Sequence, residues 1–303
     1  MASARALLVR ALLCVAGILA ATTGCSTDYA PTSGPLRVVA TTDVYASIVR
    51  AVAGDRVDLT TFITSPSLDP HTFEADARDE LAIARADVIV ENGGGYDDFA
   101  DRLRAAAPGR ARSTVLNAVA ISGKPVGPDL NEHVWYDFPT VIRVAQRLDA
   151  VLGRLDPAGR SRYVHNTASF VAAVRALERR EAAIRAADQG AGVAITEPVP
   201  LYLLAACGLV NRTPPAFSDA VENDSGVSPQ VLDQTLELFR NRAVRALVYN
   251  AQTVGPETTR VIAAAHAAHV AVVPVTETLA AGTTYLSWMD RNLTALEAAL
   301  DTR

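Results

Sequence analysis

The sequence predicts an α/β protein with two doubly wound parallel-sheet lobes joined by a long, rigid backbone helix. Strand-like and helix-like segments alternate from Leu36 onward, a purely helical region follows from Phe138 to about Gln189, and the alternation then resumes. Alternating strands and helices are typical of a parallel sheet covered on both faces. We therefore predict an N-terminal lobe at residues 36–150, a linking helix at 151–190 and a C-terminal lobe at 191–303.

The first lobe contains short β-branched runs separated by segments with helical apolar spacing. A helix predicted after the first strand ends at Gly54, a residue that commonly terminates helices. The predicted strands of this lobe, in order, are LRVVATT, VDLTTFI, DVIVEN and STVLNAV. The helices between them are VYASIVRAVAG, ARDELAIARA and DDFADRLRAAA.

The helical region is interrupted at Asp156-Pro157. A helix from there to about Ala187 would be about 45 Å long at about 1.5 Å per residue. That length suits a connection between two lobes better than the interior of one.

The second lobe repeats the alternation. Ser228-Pro229 is a typical helix start, with a capping serine before a proline in the first turn. The predicted strands are GVAIT, RALVYN and VAVVPV, and the predicted helices are VPLYLLAACG, VSPQVLDQTLELFRN, PETTRVIAAAHAAH and TYLSWMDRNLTALEAALD.

Composition narrows the class of function. Half of the 303 residues are apolar, which is enough for a large buried core, and the formal net charge is −5. Lysine and arginine are scattered rather than clustered, so we expect no nucleic-acid partner.

The N-terminus has the pattern of an export signal. Arg5 and Arg10 precede an apolar run from Ala11 to Ala21, and we predict a signal peptide at residues 1–24. The run is about half of the roughly 20 residues that span a bilayer, so we expect no transmembrane helix.

Cys25 is the predicted lipidation site. The sequence Thr22-Thr23-Gly24-Cys25 resembles a lipobox, and the polar residues that follow suit a tether at 25–35. The alternative is an ordinary signal peptide cleaved nearby. Because Cys14 would leave with the signal, Cys207 would be the remaining thiol, buried and without a disulfide partner.

Four side chains that can bind metal follow predicted strands. His71 follows VDLTTFI, His133 follows STVLNAV, Glu197 follows GVAIT and Glu277 follows VAVVPV. Ligands of open α/β sheets bind beyond the carboxyl ends of the strands, so we expect these residues in the crevice between the lobes. Two imidazoles with two carboxylates suit a divalent first-row cation, and four donors leave little room for a reacting water. The pattern therefore favours binding over catalysis, and we predict no catalytic residues.

Each of these residues alone also has a structural interpretation, such as a loop hydrogen bond or a helix-dipole charge. The remaining histidines are weaker candidates: His165 is expected on a solvent-facing helix surface, and His266 and His269 in the last turn of a helix.

The whole mature chain resembles the zinc/manganese solute-binding lipoproteins of bacterial metal ABC transporters. The resemblance covers roughly residues 36–300 and rests on the motifs DPHTFE, NEHVWYD, TEPVPLYLLAACGL and VTETLAAGTTYLSWMDRNL. It implies that His71, His133, Glu197 and Glu277 are the metal ligands. The chain departs from the family pattern in Asn131-Glu132 before the second histidine, in glutamate at 277 and in lacking a histidine-rich loop.

The resemblance implies a monomeric, lipid-anchored receptor on the extracytoplasmic face of the cytoplasmic membrane. It would capture Zn or Mn, with Fe possible, and deliver the ion to an ABC permease and its ATPase. Two alternatives stay open: a lipoprotein that binds an organic ligand or metal chelate, and an exported metallohydrolase with Glu74 or Glu132 as its general base.

Overall fold

Two parallel sheets organise the chain, one in each half. The structure is a computed structural model that describes residues 34–107 and 113–301. Within those residues each sheet has four strands, in the orders β2-β1-β3-β4 and β6-β5-β7-β8. The strands β1–β8 are Leu36–Thr42, Val57–Ile63, Val88–Glu91, Thr114–Asn117, Gly192–Ile195, Val210–Asn211, Ala246–Asn250 and Ala271–Val275.

The apolar strand sequences explain the central position of β1 and β3. Every residue of β1 except Arg37 is buried, and all of β3 is buried. Val38 of β1 pairs with Leu59 of β2 on one side and with Val88 of β3 on the other. Strands buried on both faces belong to parallel sheets covered by helices, and every strand pair is parallel. The predicted fold class is confirmed.

Helices cover both sheets and separate them. In chain order α1–α11 are Asp43–Ala53, Ala77–Arg85, Asp98–Ala106, Ala118–Ser122, Phe138–Leu155, Arg160–Asp188, Leu201–Ala206, Pro215–Glu222, Pro229–Arg240, Pro256–Ala267 and Tyr285–Asp301. Helix α9 begins as predicted, since the Ser228 hydroxyl accepts a hydrogen bond from Val231 N. Strand β6 and helices α4 and α8 are not among the elements predicted from the sequence, and the predicted strand STVLNAV ends at Asn117, directly before α4.

The helical region between the sheets is broken at Asp156. The Asp156 carboxylate accepts hydrogen bonds from Arg56 Nε at 2.9 Å and from the Tyr163 hydroxyl at 2.6 Å. Because Arg56 immediately precedes β2, the first bond holds the break against the half of the molecule that contains the first sheet. Helix α6 then continues for 29 residues, about 44 Å. The boundaries of the two lobes and of the linking helix stay a prediction.

One apolar core runs through both halves. A single cluster of buried side chains includes Val90 of β3, Val174 of α6 and Val248 of β7. Arg180 of α6 also donates to both carboxylate oxygens of Glu297 on α11, at 3.1 and 2.7 Å. Helix α6 is therefore packed against both halves.

The structure tests the prediction for Cys207 but not the predictions for the N-terminus. Cys207 is a buried free thiol, and burial raises its pKa to about 12. The predicted signal peptide and the lipidation site Cys25 lie outside the described residues. Across residues 34–107 and 113–301, no helix combines the length and apolar character needed to cross a membrane.

Candidate metal site

The four side chains predicted from strand ends lie in one cluster. His71 and His133 both pack against the ring of Tyr96, with ring centroids 5.1 and 6.0 Å from it. Glu277 Oε2 lies 4.0 Å from His133 Nε2, and Glu277 and Glu197 share a hydrogen-bond donor. The carboxyl ends of β2, β4, β5 and β8 thus bring donors from both halves together.

His71 is presented by a turn that Asp69 fixes. The Asp69 carboxylate accepts hydrogen bonds from His71 N and from the Thr72 hydroxyl, both at 2.9 Å. Pro70 lies between, and proline restricts the backbone of this turn further. The imidazole is one-third exposed, at 33% of its surface, so it lies at the solvent edge of the cluster.

His133 lies at the buried centre of the cluster, with 0% of its side chain exposed. Its Nδ1 lies 2.7 Å from Asn131 Oδ1, which also accepts from His133 N at 3.1 Å. An amide oxygen can only accept, so Nδ1 donates to it and Nε2 is the ring nitrogen that is left to bind an ion. That Nε2 has no hydrogen-bond partner within the described part of the chain, which is unusual for a buried polar atom.

Asn250 links the two predicted glutamates. Its side-chain amide donates to Glu277 Oε1 at 2.7 Å and to Glu197 Oε2, and the Thr253 hydroxyl donates to Glu197 Oε1. Both oxygens of Glu197 therefore accept hydrogen bonds. By contrast, Glu277 Oε2 is buried and unpartnered among residues 34–107 and 113–301. Burial raises the pKa of Glu197 to about 8 and also raises the pKa of Glu277.

A third glutamate, Glu222, enters the cluster without having been predicted. It is the last residue of helix α8, and its Oε1 lies 3.7 Å from His71 Nε2 and 3.5 Å from His133 Nε2. Glu132 Oε1 lies 4.0 Å from His71 Nε2. Three possible ligand atoms, one each from His71, Glu132 and Glu222, lie within 4.8 Å of one another.

The strand ends did not predict Glu222, because this residue ends a short helix rather than following a strand. The sequence signal that could have identified it is weak: an acidic residue at the end of an eight-residue amphipathic segment. Nothing in that segment distinguishes it from a solvated helix end.

The charges of the cluster act strongly on one another. Burial alone would lower the pKa of His71, but the interaction with Glu222 and the charges of Glu277 and Glu132 raise it to about 9. Burial would raise the pKa of Glu222, yet the neighbouring imidazoles hold it below its ordinary value. The carboxylates outnumber the imidazoles, so the cluster favours positive charge at its centre.

The donor set fits a divalent first-row cation. Imidazole nitrogens and carboxylate oxygens lie 3.5 to 4.0 Å apart, close enough to converge on a single ion. The other histidines do not share this environment: His165 is exposed on α6. His266 lies in the last turn of α10 as predicted, but His269 lies beyond the end of that helix, with a φ of 58°. Neither belongs to a cluster of three or more metal-capable side chains within the described residues.

Comparison with known proteins agrees with this fold. A family model described as zinc-uptake complex component A, periplasmic (ZnuA) matches residues 38–299. The metal ABC transporter substrate-binding lipoprotein ScbA of Streptococcus cristatus is 29% identical over 185 residues, 57% of this chain and 58% of that protein. The chain thus spans a little over half the length of this relative.

Two further proteins match over a larger share of the chain. The manganese ABC transporter substrate-binding lipoprotein scaA of Streptococcus gordonii is 25% identical over 255 residues, 79% of each chain. The structure of the solute-binding protein FpvC of Pseudomonas aeruginosa in complex with Mn2+ superposes with a TM-score of 0.70 at 25% identity, covering 88% of this chain and 98% of that one. The family model covers most of the chain, which therefore belongs to the zinc-uptake complex component A family.

Proposed function

We propose that this protein is the extracytoplasmic solute-binding component of an ABC importer for a divalent transition metal. The observation that carries this proposal is the buried Nε2 of His133, which lies 3.5 Å from Glu222 Oε1 and 4.0 Å from Glu277 Oε2, with a second imidazole on the same tyrosine ring. Relatives named as manganese and iron transporter lipoproteins support the same function. The cargo would be Zn or Mn, with Fe possible, passed on to a membrane permease and its ATPase.

We infer that the ion is held by His71, His133, Glu197 and Glu277. Three of these offer an unpartnered or solvent-facing donor, while Glu197 would exchange the Thr253 hydroxyl for the ion. Zinc, manganese and ferrous iron all accept mixed nitrogen and oxygen ligands.

Release of the ion would come from local movement of the loop that carries Glu277. This loop is held by side chains: Gln252 Oε1 accepts from Glu277 N at 2.6 Å and from Thr278 N at 3.1 Å, and Asp43 accepts from Leu279 N at 3.1 Å. Gln252 also donates to Pro66 O at 2.8 Å, in the loop that precedes His71. Gln252 therefore connects the two loops that would close over the ion.

We also propose that the protein is attached to the cytoplasmic membrane by a lipid anchor. Cleavage of residues 1–24 and lipidation of Cys25 would anchor a monomer to the extracytoplasmic face of the cytoplasmic membrane, with residues 25–35 as the tether. The permease and its ATPase are the expected partners. The protein that docks on them would consist of a lobe at 36–150, a linking helix at 151–190 and a lobe at 191–303.

We propose that the protein is not an enzyme. Four donors converging on one ion would leave little room for a water activated by the metal. Assays of the metal-loaded protein with ester, phosphate and peptide substrates should show no turnover above that of free metal. Turnover lost in Glu132→Gln would instead support the metallohydrolase.

The first test is elemental analysis of the mature domain, residues 26–303, stripped with chelator and equilibrated with equal Mn, Fe, Zn and Cu. We expect about one equivalent of metal. We also expect His71→Ala to lose most of that metal while His165→Ala, on the exposed face of α6, keeps it. Wild-type protein that retains no metal would overturn the proposal and favour an organic ligand.

A further inference from the structure

Tyr96 carries a buried hydroxyl that packing alone does not explain. The residue is 1% exposed, and its hydroxyl has no hydrogen-bond partner in the described ranges. An unpartnered buried hydroxyl costs free energy, whereas a phenylalanine would fill the same space without that cost. The ring packs on Trp135 with centroids 4.6 Å apart, and this contact needs no hydroxyl. The hydroxyl therefore points to a role among the polar groups around it.

The loop before α3 holds Tyr96 in the metal site. The three residues Gly93–Gly95 have φ values of 77°, 71° and 99°, a backbone that glycine adopts far more readily than other residues. On the other side of Tyr96, the Asp97 carboxylate accepts hydrogen bonds from Asn92 N and Gly93 N, both at 2.7 Å. The Tyr96 ring is thus fixed against both imidazoles of the site.

Glu277 offers the acceptor that would complement this hydroxyl. Its Oε1 accepts from Asn250, while its Oε2 is buried without a partner in the described part of the chain. That Oε2 lies 4.0 Å from His133 Nε2, and the His133 ring packs on Tyr96. Burial and the charges of Glu277 and Asp97 hold the pKa of Tyr96 well above its ordinary value, so the phenol keeps its proton and can donate.

We propose that Tyr96 competes with the cation for Glu277. In the conformation described above, Glu277 Oε2 is free to bind the ion; in the metal-free protein, the Tyr96 hydroxyl donates to it. The proposal rests on the proposed function, and it makes Tyr96 a positioning residue rather than a ligand.

The competition has a physical purpose in a protein that must release its cargo. A buried carboxylate without a partner is costly, so the hydrogen bond from Tyr96 stabilises the metal-free state. A neutral donor does this without repelling the incoming cation, as lysine or arginine would. Because the ion has to displace the hydroxyl, Tyr96 lowers the affinity for metal and speeds its release.

The test compares full-length wild-type protein with Tyr96→Phe and Tyr163→Phe. Tyr96→Phe keeps the ring on both imidazoles and removes only the hydroxyl. Tyr163→Phe is the matched control, because the Tyr163 hydroxyl donates to Asp156 at 2.6 Å, outside the metal site. Mn2+ and Zn2+ affinities are measured by competition with a chromophoric chelator, and dissociation rates by mixing the loaded protein with excess chelator.

We expect Tyr96→Phe to bind Mn2+ about tenfold more tightly than the wild type and to release it correspondingly more slowly, because the ion no longer displaces a hydrogen bond to a charged group. Tyr163→Phe should keep the wild-type affinity. Tighter binding separates this role from a structural one, since a damaged site would bind more weakly.

Melting of the metal-free protein gives a second, independent reading. Tyr96→Phe should lower the melting temperature of the metal-free protein, and it should lower it less when Glu277→Gln is also present, because the charge that the hydroxyl stabilises is then gone. An equal effect of Tyr96→Phe with and without Glu277→Gln would overturn the contact with Glu277.

Mn2+ binding by Tyr96→Phe that is no tighter than binding by Tyr163→Phe would overturn the competition. Wild-type protein that binds neither Mn2+ nor Zn2+ would overturn the proposed function instead, so the two failures are distinct.

Discussion

At the scale of single residues, Asn131 explains how a departure from the family pattern is compatible with a metal site. Its side-chain oxygen accepts from His133 Nδ1 and its side-chain nitrogen donates to Pro198 O at 3.0 Å. The first contact fixes the tautomer of the imidazole and the second joins the two halves of the molecule. A residue that holds a ligating histidine in one tautomer raises its basicity toward the metal.

The first prediction concerns this contact. Asn131→Leu keeps the approximate volume and removes the acceptor, so Nδ1 loses its partner and the orientation of the imidazole is no longer fixed. We expect metal affinity to fall by about 10- to 100-fold. Isothermal titration with Mn2+ would measure it.

Asn166→Leu is the control, because Asn166 makes one comparable bond, to Val52 O at 3.1 Å, away from the site. Equal affinities for the two variants would show that Asn131 does not position His133.

Asn250 plays a similar part for the carboxylates. A single amide nitrogen donates to both Glu197 and Glu277, and the Asn250 oxygen accepts from Gln252 N at 3.1 Å. This amide brings two acidic groups together that would otherwise repel each other. The residue is 1% exposed, so it is built into the core of the site.

At the scale of elements, the sequence predicted every strand of the described residues except β6, because these strands are short runs rich in β-branched residues between segments with helical spacing. It also predicted where ligands should lie, since loops after parallel strands meet at one edge. The structure places His71, His133, Glu197 and Glu277 in one cluster at that edge, and their role as ligands stays a prediction.

The sequence could not predict Glu222 because its element is short and weakly marked. Helix α8 has eight residues, and Pro214 before it provides no side-chain cap. Strand β6 has two residues, too few for an alternating pattern. The packing of Phe217 into the second half's core places this helix, and such long-range contacts leave no local signal.

The second prediction concerns the cavity beside α8. Asp69, Asp224 and Glu257 line it with negative charge, which should raise the local concentration of cations and the association rate. We expect Asp224→Asn/Glu257→Gln to slow Mn2+ association severalfold at low ionic strength and to leave dissociation unchanged. Stopped-flow fluorescence of Trp135, which packs on His133 with ring centroids 5.0 Å apart, would follow the reaction.

Asp58→Asn/Glu80→Gln is the matched control, because it removes the same net charge at exposed positions that do not line this cavity. An equal slowing in both double variants would attribute the effect to overall charge rather than to the cavity.

At the scale of the whole molecule, the continuous core limits how the two sheets can move. Side chains of β3, α6 and β7 belong to one buried cluster, and the Arg180–Glu297 pair holds α6 against α11. A wide hinge opening would expose part of this core at about 25 cal/mol for each Å² of apolar surface. The loops over the site, held by a few side-chain hydrogen bonds, can move at far lower cost.

The third prediction follows from this difference. Metal binding should slow hydrogen exchange of the amides of Glu277, Thr278 and Leu279, because these donate to Gln252 and Asp43 in the closed loop. The amides of α6 between Arg160 and Asp188 should exchange equally slowly with and without metal, since that helix is held by the core in both states. Exchange mass spectrometry of the stripped and Mn2+-loaded protein would compare them, with Asn131→Leu loaded under the same conditions as the weak-binding control. Faster exchange along α6 in the stripped protein would mean that the helix moves with the lobes, and that release requires opening of the molecule rather than of one loop.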